Sequence, residues 1–178
     1  MGALMPTFDS EIKKPLHAPP RRVISAPGLL MRILCLDIGS KRIGVAASDP
    51  LELTAQPMKV IARRGGKSDF DAIASLAREL EADLILVGLP LDAEGGEGPQ
   101  AAKVRRFAEK LLGHLRGAGI KAGMEFWDER YSTATAVERL IDADLSRRRR
   151  REVVDKMAAA VILEDYLAAH EQEPKDRR

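Results

Sequence analysis

"LCLDIGSKRIGVAASD", residues 34–49, organises the reading of this chain: an apolar run closes on Asp37, a glycine follows two places on, and a second apolar run begins at Ile43. The two runs read as strands joined by a tight turn. An ionised carboxylate at the end of a buried strand is costly unless something positive pairs with it. Asp-x-Gly is also common at hairpins, where the Asp is an ordinary turn residue. The rest of the chain decides between the two.

Outward from this hairpin, "AQPMKVIAR" (55–63) reads as a third strand. Phe70, Ile73, Ala74, Ala77 and Leu80 then recur at helical spacing, with Ser68 and Asp71 placed as a capping box. "DLILVGLP" (83–90) is a continuous apolar strand, the kind buried on both faces. The glycine-rich "PLDAEGGEGPQ" (90–100) reads as a mobile loop whose backbone can approach a phosphate, or as a plain surface loop. Pro99 suits the first turn of a helix with the stripe Val104, Phe107, Ala108, Leu111 and Leu115. "GMEFWDER" (123–130) is a fifth strand, helix starts follow near 132–135, and a last helix covers about 153–169. The order βββαβαβα predicts an α/β fold, a mixed sheet with helices on both faces.

The chain's 178 residues fit one domain. Residues 1–30 carry Pro6, Pro15, Pro19, Pro20 and Pro27 without periodicity and read as a flexible extension, with Met31 a second candidate start. The domain is expected over 31–170, with a short flexible tail at 171–178. Cys35 is the one cysteine, which excludes a disulfide framework within the chain and reads as a small core residue. Aromatics at 4% argue against a base-stacking platform. No apolar run is long enough to span a bilayer, and no signal-peptide core precedes a cleavage site, so a cytoplasmic protein without a membrane partner is expected. The formal charge of +2 is that of residues 1–30 alone, so net charge says nothing about nucleic acid and only charge placement can.

Acids stand where strands stop or a helix packs: Asp37 after strand one, Asp128 and Glu129 after strand five, and Asp155 near the start of the last helix. Helical spacing puts Asp155 on the side of Ala158, Ala159 and Ile162. Each acid has an ordinary reading, as turn residue, solvated charge or helix-start acid. Together they suit a hard divalent cation, Mg²⁺ or Mn²⁺. The run Arg147, Arg148, Arg149, Arg150 and Arg151 is a candidate phosphate-binding segment, with Lys41, Arg42 and Arg130 as further contacts. Arg105 and Arg106 read as a solvated helix face. His17, His114 and His170 lack ligand spacing, and Trp127 reads as core.

"LDIGSKRIGVAASD", "ILVGLPL", "WDERYST" and "VDKMAAAVILEDY" resemble, in that order, the YqgF/RuvX family of ribonuclease H-like proteins, over about residues 31–170. The resemblance implies a five-stranded mixed sheet with strands one to three antiparallel. It implies Asp37, Glu129 and Asp155 as catalytic acids that hold the metal, with the adjacent Asp128 a further metal-holding acid. It also implies metal-assisted hydrolysis of phosphodiesters in structured nucleic acid: Holliday-junction DNA, the 5′ end of precursor 16S ribosomal RNA, or both. A homodimer is expected if junctions are cut. Better-known resolvases of the superfamily carry an acid at the end of strand four, where this chain has Gly88, Leu89 and Pro90. Either Glu129 does that job from strand five, or the site falls short of a two-metal centre. Two other functions fit parts of the pattern: a non-catalytic nucleic-acid-binding or ribosome-assembly factor, and an actin-like ATP-binding protein, which would need two such domains.

Overall fold

The computed structural model describes residues 32–49, 51, 53–129 and 147–171, with the backbone alone for 147–156. Its elements are β1 (Ile33–Ile38), β2 (Arg42–Ser48), β3 (Ala55–Ala62), α1 (Lys67–Glu79), β4 (Leu84–Leu89), α2 (Pro99–Gly117), β5 (Gly123–Asp128) and α3 (Arg147–Glu171). The five strands form one sheet in the order β3-β2-β1-β4-β5. β1, β2 and β3 run antiparallel in succession, while β4 and β5 join β1 in parallel. The mixed sheet with strands one to three antiparallel is thus present as expected. Pro57 cannot donate to a ladder, and it sits where that costs least, on edge strand β3 opposite the bulge between Val45 and Ala46.

Strand alternation divides the core in two. Leu34, Leu36 and Ile38 of β1 and Ile85, Val87 and Leu89 of β4 pack with α1 and α2 on one face. Ile33, Cys35, Leu84 and Leu86 pack with Ala159, Ala160, Ile162 and Leu163 of α3 on the other. All six residues of β4 are buried, as its unbroken apolar run demands. Cys35 is buried, and the stripe Val104, Phe107, Ala108, Leu111 and Leu115 all faces the core. Phe70 of α1 meets Phe107 of α2 with ring centroids 5.1 Å apart.

Three local expectations are corrected. The capping box of Ser68 and Asp71 does not form: Gly66 is the N-cap and no side chain caps α1. Asp69 does the neighbouring work from inside the first turn, accepting the N–H groups of Arg64 and Gly65 at 2.9 and 3.1 Å while almost fully buried. Gly66 at φ 67° sets the helix start one residue before Ser68, out of register with the box. Arg105 is not solvated: its Nε lies 2.6 Å from Glu97 Oε1 and its guanidinium stacks 4.5 Å over the Phe126 ring. The last helix begins at Arg147, so the arginine run occupies its first turns instead of preceding it. The helix expected near 132–135 and the flexible extension at 1–30 lie outside the described residues.

Candidate active site

Asp37 is the penultimate residue of β1, on the face that carries Ile33 and Cys35 and meets α3. Gly39 closes the turn behind it. A Cβ there would stand 2.9 Å from the Arg42 carbonyl oxygen, so only glycine lets the chain fold back this tightly. The turn is held from outside by Arg63, whose Nη1 donates to the Gly39 carbonyl at 2.8 Å and whose backbone N–H donates to the Lys41 carbonyl at 2.9 Å. Arg63 also lies 3.7 Å from Asp69 and 4.8 Å over the ring of Phe107. No local pattern announces Arg63, because Gly39 and Phe107 are brought to it by the fold, whereas Asp69 bonds the loop residues four and five before it. Lys41 is exposed at the turn and Arg42 half-buried at the start of β2.

Glu129 directly follows β5 and comes back over the α3 face. Its carboxyl touches the space above Gly88 in β4 and shares that space with Ile162 of α3. Burial, then the charges of Asp37 and Asp128, push it up from its ordinary 4.5 to about 7. The Cys35 thiol is pushed up for a like reason: burial first, then the same Asp37 and Glu129. Asp37 and Glu129 therefore act on one neighbourhood from two strands.

Alternation places Asp128 with Met124 and Phe126, on the α1–α2 side of the sheet. It is an electrostatic neighbour of Glu129 from the opposite face. Trp127, expected in the core, is half-buried against the α3 face and packs edge-on to Tyr166 at 5.3 Å. The Tyr166 hydroxyl donates to Glu125 at 2.9 Å. Asp155 stands on α3 four and seven residues before Ala159 and Ile162, both buried against the sheet. Its side chain and those of Arg147, Arg148, Arg149, Arg150 and Arg151 lie outside the described residues, as does Arg130 altogether.

The 90–100 loop spends its glycine backbone on itself. Asp92 Oδ1 accepts the Gly96 N–H at 2.5 Å, the Asp92 N–H donates to the Gly96 carbonyl at 3.0 Å, and Gly95 turns at φ 85°. The Gly96 amide is thus engaged within the loop. His114 pairs with Asp71 at 2.8 Å, far from a ligand set.

The donor chemistry fits a hard divalent cation. Burial, and after it the charges of Asp37 and Asp128, let Glu129 hold its proton to near neutrality, and a cation would offset both. Among the described residues no group of three acids, histidines or cysteines is close enough to hold a metal by itself. Asp155 lies on α3, the helix whose Ala159 and Ile162 pack against that face.

The comparisons with known proteins agree with this architecture. T. thermophilus RuvC, solved in complex with a Holliday junction substrate, superimposes with a TM-score of 0.50 over 80% of this chain and 97% of its own, at 12% identity; that likeness shows a shared ribonuclease H-like resolvase fold. A Myxococcus xanthus protein named as a candidate pre-16S rRNA nuclease is 47% identical over 140 residues, 79% of this chain and 89% of that protein. A Symbiobacterium thermophilum protein of the same name is 47% identical over 146 residues, 82% of this chain and 98% of that protein. The family model described as "RuvX: Holliday junction resolvase" matches residues 31–169, and on that match and these relatives the chain belongs to the RuvX family of nucleases.

Proposed function

We propose that this nuclease hydrolyses phosphodiester bonds with a divalent cation, Mg²⁺ or Mn²⁺, held by Asp37, Glu129 and Asp155. The single observation behind this reading is the convergence of Asp37 and Glu129 on the α3 face, where burial first and then the neighbouring carboxylates raise the Glu129 carboxyl to about 7. When bound, the cation would lower the pKa of a water and stabilise the leaving oxygen. The protein's own contribution is rigidity and partial burial. β1 fixes Asp37 in a paired strand, β4 and α3 confine Glu129, and the buried surroundings strengthen every charge interaction there. Asp128, the fourth acid expected at the metal, acts on Glu129 through the field from the other face of the sheet. Arg147 to Arg151 at the start of α3, with Lys41, Arg42 and Arg130, would grip backbone phosphates and orient the scissile bond.

The relatives' names favour the 5′ end of precursor 16S ribosomal RNA as substrate, with four-way junction DNA the second candidate from the family description. Symmetrical cutting of a junction would require a homodimer. No helix among the described residues is long and apolar enough to cross a membrane, and a ribosomal-RNA precursor as substrate supports a cytoplasmic location. A cleavage panel tests the reading: precursor 16S RNA, single-stranded RNA and a four-way junction, each with Mg²⁺, Mn²⁺ or EDTA. Metal-dependent cutting of the precursor RNA is expected. Tight binding without cleavage in any metal would make the protein a binding factor instead.

A further inference from the structure

We propose that Gly88 is a positioning residue: the side chain it lacks is the seat of the Glu129 carboxylate, so β5 delivers an acid into the space of a β4 side chain. The consequence for metal binding rests on the reading above; the seat itself rests on packing alone.

Gly88 is the fifth residue of β4 and the one position in that strand without a large apolar side chain. Glycine weakens a strand interior, so its presence asks for a reason. Gly88 pairs with Trp127 of β5, and it lies one step beyond the Leu36–Val87 pair, which brings it level with Asp37. It shares its face with Leu86, Cys35 and α3. A Cβ built there would collide with Glu129 Oε1, stand 3.0 Å from Glu129 Cδ and 2.8 Å from Ile162 Cδ1. Gly123 of β5 shows the contrast: a Cβ there meets nothing nearer than Leu84 at 3.6 Å. The glycine at 88 is therefore occupied space, filled from the next strand. Glutamate has several rotatable bonds, and a carboxylate at large would sample many positions. Confinement between the Gly88 backbone and Ile162 limits Glu129 to few of them, level with Asp37 along the sheet. The absent strand-four acid and the glycine in its place are then one feature.

The test is a double-mutant cycle on the full chain: wild type, Gly88→Ala, Glu129→Ala and the pair. Thermal unfolding without metal reads the seat. Gly88→Ala should lower the midpoint by about 3–8 °C in the wild-type background, as overpacking does. In the Glu129→Ala background the same change should be neutral or stabilising. An equal drop in both backgrounds would overturn the proposal, since Gly88 would then serve Ile162 or the backbone alone. If Gly88→Ala does not fold, rescue by Glu129→Ala supports the seat and failure to rescue overturns it. Mn²⁺ titration reads the consequence: Gly88→Ala should weaken binding at least tenfold, and unchanged affinity would overturn the positioning role. Coupled midpoints in a wild type that binds no Mn²⁺ would leave the seat standing and sink the metal reading instead.

Discussion

The Glu129 carboxyl and the buried Asp69 show how differently two acids are kept in one small protein. Glu129 is pushed up to about 7 by burial and then by the charges of Asp37 and Asp128. Because its folded pKa lies above its unfolded value, the folded state takes up the proton more readily. The apo protein should then be most stable below about pH 4.5 as far as this group is concerned, and lose that contribution as pH rises through 7. Metal binding runs the other way, because the ligand must shed its proton. Mn²⁺ affinity should fall about tenfold per unit below pH 7 and level off above it; calorimetric titration between pH 5.5 and 8.5 checks this, and a flat profile would remove Glu129 from the ligand set. Asp69 has the opposite design: it accepts two backbone N–H groups at the entry to α1. Asp69→Ala leaves both donors without their acceptor and should cost roughly 2–4 kcal/mol by denaturant unfolding, with Asp69→Asn costing less. The sequence pattern pointed to Ser68 and Asp71 for this work. The spacing was right for a box, but with Gly66 as N-cap the helix starts two residues too early for it.

Among the elements, the β1–β2 turn and the first turns of α3 carry the consequences. Arg63 ties the Gly39 carbonyl to Asp69 and Phe107, so three elements meet on one guanidinium. Arg63→Met keeps much of the apolar stem and removes the donors; a loss of about 1–3 kcal/mol is expected, with the β1–β2 turn amides becoming the ones most exposed to hydrogen exchange. The arginine run lies on a helix, and five successive helical positions spread round its whole circumference. Only two or three can face one nucleic-acid strand. Replacing Arg147 to Arg151 with Ala should therefore reduce the log–log salt slope of binding by about 2, at roughly 0.7–0.9 per phosphate contact. An unchanged slope would mean that the run makes no phosphate contact.

At the scale of the molecule, strand periodicity made the sheet legible. β1 and β2 flank an Asp-x-Gly turn, β4 is uniformly apolar because both of its faces are covered, and α2 shows its stripe plainly. Asp37 and Glu129 were legible as acids at strand ends. The seat at Gly88 was not, because it depends on a side chain reaching across from a neighbouring strand 41 residues on. Nor was the face of Asp128, which one step of alternation reverses. Arg105 looked solvated because its partners, Glu97 and Phe126, are brought to it only by the fold. Among the described residues, both core clusters lie within the family-matched span. A chain beginning at Met31 should therefore unfold within a few degrees of the full chain; a large drop would show that residues 1–30 join the core.

The most direct measurement of the central claim, that Asp37 and its neighbouring acids hold a divalent cation, is the Mn²⁺-induced rise in thermal midpoint for wild type and Asp37→Asn. A cation that binds only the folded state at a hundred times its dissociation constant stabilises by about 2.7 kcal/mol, which is roughly 5–10 °C for a domain of this size. The wild type should show that rise. Asp37→Asn should start at an equal or slightly higher midpoint, since like-charge repulsion is relieved, and should show almost no rise and no cleavage. A variant that keeps the full rise and cleaves like wild type would contradict the account, and one that unfolds without metal would return Asp37 to the role of a turn residue.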